Sequence, residues 1–152
     1  MSAKSSVFQF QSPDDSPGFL LWQVSNLWQR KLNAGLRQMN LTHVQFVLLA
    51  VSEWLGYNHD LVTQVQLAAQ AKTDIMMTSN VLKSLEKKGL VSRTPHPTDT
   101  RAKCVALTGE GHKVLLKAIK FVDRIDNEFF AALGDSVSDF NSLLIALKAQ
   151  HG

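Results

Sequence analysis

Residues 63–109 read as a short helix, a second helix and a β-hairpin, in that order and with each boundary marked. Thr63-Gln64-Val65-Gln66 is a capping box, a hydroxyl and an amide three residues apart that satisfy the first turn of a helix. Leu67, Ala68 and Ala69 follow on that helix. Thr73-Asp74 caps the next one, where an acidic side chain suits the positive end of the helix dipole. Ile75, Thr78, Leu82 and Leu85 give that helix a face to bury. Gly89 stops it, with Lys87 and Lys88 in the last turn. Residues 90–94 and 103–107 read as strands, and Pro95, Pro97 and Asp99 punctuate the tip between them. Two helices followed by a hairpin is the order of a winged helix-turn-helix, in which one helix enters a DNA groove and the hairpin flanks it.

The remaining chain reads as scaffold for that unit. Residues 1–15 are polar and read as a disordered or loosely docked tail, without the apolar centre of a secretory leader. Ser16-Pro17 opens a helix that carries Leu20, Val24, Leu27, Leu32, Leu36 and Met39, with Trp22 and Trp28 beside that stripe. A second capping box, Thr42 to Gln45, opens a helix that is apolar nearly all round, which marks a central position, and that ends near Gly56. Residues 60–62 suit a very short strand. Thr108 caps a long helix with Val114, Leu115, Ala118, Ile119, Val122, Ile125 and Phe129 along one side. A break at Gly134 to Ser136 precedes a last helix with Phe140, Leu143, Leu144 and Leu147. The expected fold is mainly α with a small β-wing. Residues 16–152 form one domain, about 42–110 as the reader, with 16–40 and 111–150 as dimerisation helices. A small reader cannot cover both long helices, so two chains would bury them against each other as a symmetric homodimer.

Composition narrows the function. The longest uninterrupted apolar run is the six residues from Phe46 to Val51, far below a membrane span, and a cytoplasmic protein is expected. The lone Cys104 excludes an intrachain disulfide and a multi-cysteine zinc site; on a hairpin strand it reads as a half-buried structural thiol. The five histidines (43, 59, 96, 112 and 151) show no close ligand spacing, so no metal or other cofactor is expected. No glycine-rich phosphate loop, nucleophile elbow or histidine–glutamate zinc motif points to an enzyme. The whole chain carries +3, but residues 72–113 alone hold eight Lys/Arg against four Asp/Glu. Such a concentration suits phosphate binding, as it also suits a solvated helix face with a charged turn.

The candidate contacts follow. Opposite Leu82 and Leu85, the second reader helix offers Met76, Met77, Ser79, Asn80 and Lys83. Asn80 has the donor–acceptor pair that reads adenine in the major groove; Ser79 suits a base or a phosphate. Met76 and Met77 suit thymine methyls or packing against a neighbour. At the hairpin tip, Asp99 sits two residues from Arg101 and can orient its guanidinium, and an arginine there suits the minor groove. Arg93, His96 and Lys103 lie nearby for phosphates.

These segments resemble the MarR family of winged-helix transcriptional regulators over about residues 16–150. Leu41-Thr42-His43-Val44-Gln45-Phe46 is similar to the family's opening of the second helix. Leu85-Glu86-Lys87-Lys88-Gly89-Leu90-Val91 is similar to its exit from the recognition helix. Asp99-Thr100-Arg101, followed by Val105-Ala106-Leu107-Thr108-Gly109-Glu110-Gly111, resembles its wing and the helix after it. The resemblance implies a triangular dimer, a pseudo-palindromic operator in double-stranded DNA, and a ligand-responsive repressor. It places Ser79 and Asn80 at base- or phosphate-contacting positions, Arg101 on the wing arginine and Asp99 on the acid that holds it. Many members carry arginine where this chain has Asn80. The resemblance also implies release of DNA by a small aromatic or phenolic effector bound between dimer helices and reader. Trp22, His43, Phe46 and Trp54 are the candidates for that wall, or else are interface and core aromatics. A non-specific architectural DNA-binding protein and a winged-helix protein-interaction module are the alternatives.

Overall fold

A computed structural model of the chain describes residues 6–152, and in it the long helices begin where a side chain can close the first turn. Helix α1 (Pro17–Leu36) starts behind Ser16, whose Oγ accepts from the Phe19 amide at 3.2 Å. Helices α2 (His43–Gly56) and α3 (Gln64–Ala71) start from complete capping boxes, Thr42/Gln45 and Thr63/Gln66. Helix α4 (Ile75–Lys87) starts behind Asp74, whose carboxylate accepts from the Met76 amide at 2.9 Å. Helix α5 (Gly109–Phe130) starts behind Thr108, which accepts from the Gly111 amide at 3.0 Å. Helix α6 is Val137–His151.

Strands β1 (Val91–Pro95) and β2 (Lys103–Leu107) pair antiparallel, from Val91 opposite Leu107 to Pro95 opposite Lys103. The strand expected at 60–62 is reduced to one bridge between Thr63 and Cys104, beside a 2.8 Å bond from the Val105 amide to the Val62 carbonyl. Helix α1 stops earlier than the apolar stripe suggested. A single 3-10 turn carries the chain to Asn40, which is left-handed at φ 56°, a conformation asparagine tolerates better than most. Of the polar tail, residues 1–5 lie outside the described residues. Residues 13–15 form a 3-10 turn, boxed by Ser12 and Asp15, that leads directly into α1.

The core is one cluster around α2, which touches α1, α3, α4, α5 and β2. Leu32 and Leu36 of α1, Leu48 and Leu49 of α2, Leu67 of α3, Leu82 and Leu85 of α4, and Leu115 and Ala118 of α5 are all buried in it. Polar bonds fix the angles. Gln45 Nε2 donates to Ser84 Oγ at 2.9 Å, and Lys88 Nζ donates to Gln45 Oε1 at 2.9 Å and to the Asn40 carbonyl at 2.6 Å.

Burial ends abruptly beyond this cluster. Phe19, Leu20, Leu21, Trp22, Val24 and Leu27 of α1 are exposed, as are Leu143, Leu144, Ile145 and Leu147 of α6. Within Gly109–His151 one 18-residue window is, by length and composition alone, apolar enough to cross a membrane, at a mean hydropathy of 1.2. The backbone of that stretch breaks at Gly134, where φ is 53°, so it is two helices rather than one.

Gly111 brings the first turn of α5 against Leu90, the residue before β1. A methyl group on it would overlap the backbone carbonyl of Leu90, which has no freedom to withdraw. Gly111→Ala is therefore expected to destabilise the fold by about 1–3 kcal/mol, the usual cost of overpacking, read as a lower urea midpoint at unchanged slope.

Candidate nucleic-acid interface

The α3–α4 pair is joined by Lys72, Thr73 and Asp74. Lys72 takes the left-handed conformation at φ 57°, and the Thr73 amide donates to the Ala68 carbonyl at 3.0 Å. Thr78 anchors the start of α4 from inside: its hydroxyl bonds Thr73 Oγ1 and the Asp74 carbonyl, both at 2.8 Å. Thr78, Leu82 and Leu85 form the buried face. Ile75, expected on that face, is exposed instead; as the first residue of α4 it projects past the core.

The outward face carries Met76, Asn80 and Lys83, all exposed and separated by four and three residues, hence on one stripe. Met77 is exposed to one side, and Ser79 is half-buried beside Lys83. None of these side chains has a hydrogen-bond or ion-pair partner among the described residues, so Asn80 and Lys83 offer donors, and Asn80 an acceptor, to whatever approaches α4.

The wing tip is built by two side chains. Asp99 Oδ1 accepts from the Arg101 amide at 3.1 Å and lies 3.9 Å from its Nε. The Arg101 side chain is 96% exposed, so Asp99 gives it direction without covering its charge. His96, expected to face phosphates, serves the turn: its Nδ1 accepts from the Thr98 and Asp99 amides at 3.2 and 3.1 Å. An accepting Nδ1 puts the ring proton on Nε2. Lys103 is exposed at the base of the tip.

Arg93, expected beside His96 as a phosphate contact, is turned inward. Val91 is buried, and a strand places residues two apart on one face. The Arg93 guanidinium is taken by Gln64 and Glu86. Cys104 is buried, as a structural thiol would be. It lies in the wall of a groove of about 650 Å³ between the end of α2, β2 and the first turn of α5, where His112 Nδ1 is 3.5 Å from Glu53 Oε2.

The four aromatics that are candidates for one wall, or else core and interface residues, do not come together. Phe46 belongs to the core, Trp54 is exposed against Tyr57 at 6.4 Å, and Trp22 is exposed on α1. His43 instead meets Trp28 edge-on at 5.1 Å, and the Trp28 indole donates to Asp126 Oδ1 at 2.8 Å. This junction joins α1, α2 and α5. Trp28 lies beside the apolar stripe of α1 in the sequence, and nothing local pairs it with Asp126, 98 residues away.

The model of the MarR family matches residues 41–103, from the cap of α2 to the start of β2. YdcH of Bacillus subtilis strain 168, named as an HTH-type transcriptional regulator, is 44% identical over 82% of this chain and 84% of its own. The chain belongs to the MarR family. It is a winged-helix transcriptional regulator and not an enzyme. A cysteine-to-serine mutant of MarR from E. coli, solved with operator DNA, superposes at TM-score 0.80 and 27% identity over 94% of this chain and 99% of that one. CouR of Rhodococcus jostii RHA1, solved with p-coumaroyl-CoA, superposes at 0.76 and 26% over 92% and 94%.

As a MarR-family chain, this one has a titratable group at the junction of scaffold and reader. Burial pushes His43 below the ordinary histidine value, an effect partly offset by the Asp126 carboxylate. A histidine held neutral by the fold binds its proton more readily when unfolded. Its contribution is therefore intact above about pH 6.5 and lost as pH falls below it. The melting temperature is expected to fall between pH 7 and pH 5.5 more steeply in the wild type than in His43→Gln. Parallel curves would exclude His43 as the source.

Proposed function

We propose that this regulator is a homodimeric, ligand-responsive repressor, acting in the cytoplasm on a pseudo-palindromic operator. The observation that carries the reading is the joint display of one polar stripe on α4 and one arginine-tipped wing, on a scaffold whose α1 and α6 expose apolar faces. A second copy is the natural cover for those faces. Its two-fold axis would place the α4 helices about 34–36 Å apart, the spacing of successive major grooves. In each half-site Asn80, with Ser79 and Met76 beside it, reads base edges. Lys83 and Lys103 meet phosphates, and Arg101 enters the minor groove. Arg93, buried by its own chain, is left out of this set. The operator-bound MarR structure supports the assignment of the helix and the wing.

For the effector, the Trp28–His43–Asp126 junction is the favoured site. An aromatic compound with one polar group suits an edge-on pair of rings beside a carboxylate. The relative solved with p-coumaroyl-CoA supports a ligand of that class. Binding there changes the spacing of the two readers and so shifts the population away from the DNA-competent one.

The test is affinity for a fragment from upstream of this protein's own coding sequence against random DNA, at two salt concentrations. A preference of about 10³ marks a sequence-specific regulator, whereas equal and steeply salt-dependent binding to both marks an architectural protein. Sedimentation in the same buffer should give twice the 16.9 kDa of one chain. Asn80→Ala is expected to relax base preference at one position per half-site by about tenfold. Arg101→Ala should weaken binding to every sequence and lower the salt slope by about one. An unchanged preferred sequence in Asn80→Ala would remove Asn80 from the reading face.

A further inference from the structure

Arg93 sits in the middle of β1, opposite Val105 of β2, with its side chain only 9% exposed. Nη1 donates to Gln64 Oε1 at the first residue of α3, at 3.0 Å. Nη2 donates to Glu86 Oε1 near the end of α4, at 3.2 Å. Nε is buried with no acceptor among the described residues. Thus one planar cation ties the first reader helix, the second reader helix and the inner wing strand together. Its Nε–H meets no protein acceptor among the described residues, and a buried donor left in that way costs free energy. A two-stranded ribbon is marginal on its own, and its direction must be set from outside. The bridge to Val62 and Thr63 holds β2. On β1 the polar anchor is Arg93.

We propose that Arg93 is a positioning residue for DNA binding. Its guanidinium sets the angle between the wing and α4, and therefore where Arg101 meets the duplex while Asn80 is in the groove. The proposal rests on the DNA-binding reading above and assigns Arg93 no contact with DNA. Arg93 meets its two acceptors from two different nitrogens of a rigid fork, Nη1 and Nη2, whereas a lysine would have to reach both from a single nitrogen. A direct phosphate contact would tolerate lysine.

The experiment is a double-mutant cycle between Arg93 and Arg101. It is read by fluorescence anisotropy on a DNA fragment that the wild-type protein selects from a random pool, with melting curves for each variant. Arg93→Met is expected to weaken binding about tenfold in the wild type, but less than about twofold in Arg101→Ala, since residues acting through one another do not add. Arg93→Lys should lose nearly as much as Arg93→Met. Hydroxyl-radical protection should fade at the minor-groove flanks and persist at the centre of each half-site. Multiplicative losses in the cycle, or full affinity in Arg93→Lys, would overturn the assignment and make Arg93 a direct contact. If Arg93→Met melts below the assay temperature, Glu86→Ala carries the same cycle, because Glu86 is a half-exposed partner whose loss frees the fork without emptying the core. Coupling between Glu86 and Arg101 supports the clamp and additivity overturns it. A wild-type protein that selects no sequence overturns the regulator reading, and the clamp's role with it, whereas a failed cycle with intact selection overturns the clamp alone.

Discussion

Gln45 is buried in the first turn of α2, and both ends of its amide are used. Oε1 accepts from the Thr42 amide at 3.1 Å, closing the cap of α2, and from Lys88 Nζ at 2.9 Å. Nε2 donates to Ser84, whose own hydroxyl donates to the Val81 carbonyl at 2.6 Å. A buried amide left unmet costs about 1–3 kcal/mol, so this side chain admits few arrangements of its neighbours. Because Lys88 also reaches the Asn40 carbonyl, the node spans the α1–α2 turn, the central helix and the end of the recognition helix. This one residue fixes the end of α4 against the start of α2.

The end of α4 is held a second time, from the side of α5. Thr108 Oγ1 donates to the Gly89 carbonyl at 2.6 Å, and the Thr108 amide donates to the Leu90 carbonyl at 3.0 Å. The same hydroxyl caps α5, and Gly111 lets that helix close on Leu90. The reader is therefore locked to α2 at one side and to α5 at the other. A lobe fixed in this way moves as a body. In a dimer, the distance between two recognition helices would then be decided by how α1, α5 and α6 pack across the two-fold axis, not by flexing within a lobe.

Much of this architecture was legible in the residues, for local reasons. The caps at Ser16, Thr42, Thr63, Asp74 and Thr108 are short-range chemistry, and each opens a helix at the residue it implies. The break at Gly134 and the wing turn at Asp99 are local in the same sense. What failed to show was side-chain direction where charge and pattern disagree. The alternation of β1 places Arg93 on the side of Val91, yet its charge argued for the surface; the conflict is resolved only by Gln64 and Glu86, which come from other elements. His96 was read by its charge, whereas the fold uses its lone pair. Ile75 lies outside the core against expectation, and Phe46 takes the core place that was one of its two readings. A nearly all-apolar α2 gives no clue to which side faces the core, and the first residue of α4 has no turn before it to shelter it. Pairings such as Trp28 with Asp126 have no local signature at all.

The junction proposed for an effector gains its force from where it stands in this network. His43 is the first residue of α2, and Gln45 lies two residues on. Trp28 belongs to α1 and Asp126 to α5, the helices that the core and the Gly35–Phe121 contact hold side by side. A ligand wedged between Trp28 and His43 would meet a dense interior, and dense interiors yield by shifting whole elements more readily than by local compression. Because Gln45 fastens the start of α2 to Ser84 and Lys88, and Thr108 fastens the end of α4 to α5, a shift of this lobe relative to α1 would carry the recognition helix with it. No separate wire from pocket to reader is needed, since the pocket wall and the helix anchor are the same turn of one helix. Such a ligand shifts the equilibrium only by its difference in affinity for the two dimer spacings. A weakly bound compound that fits one spacing alone is then a better effector than a tight one that fits both.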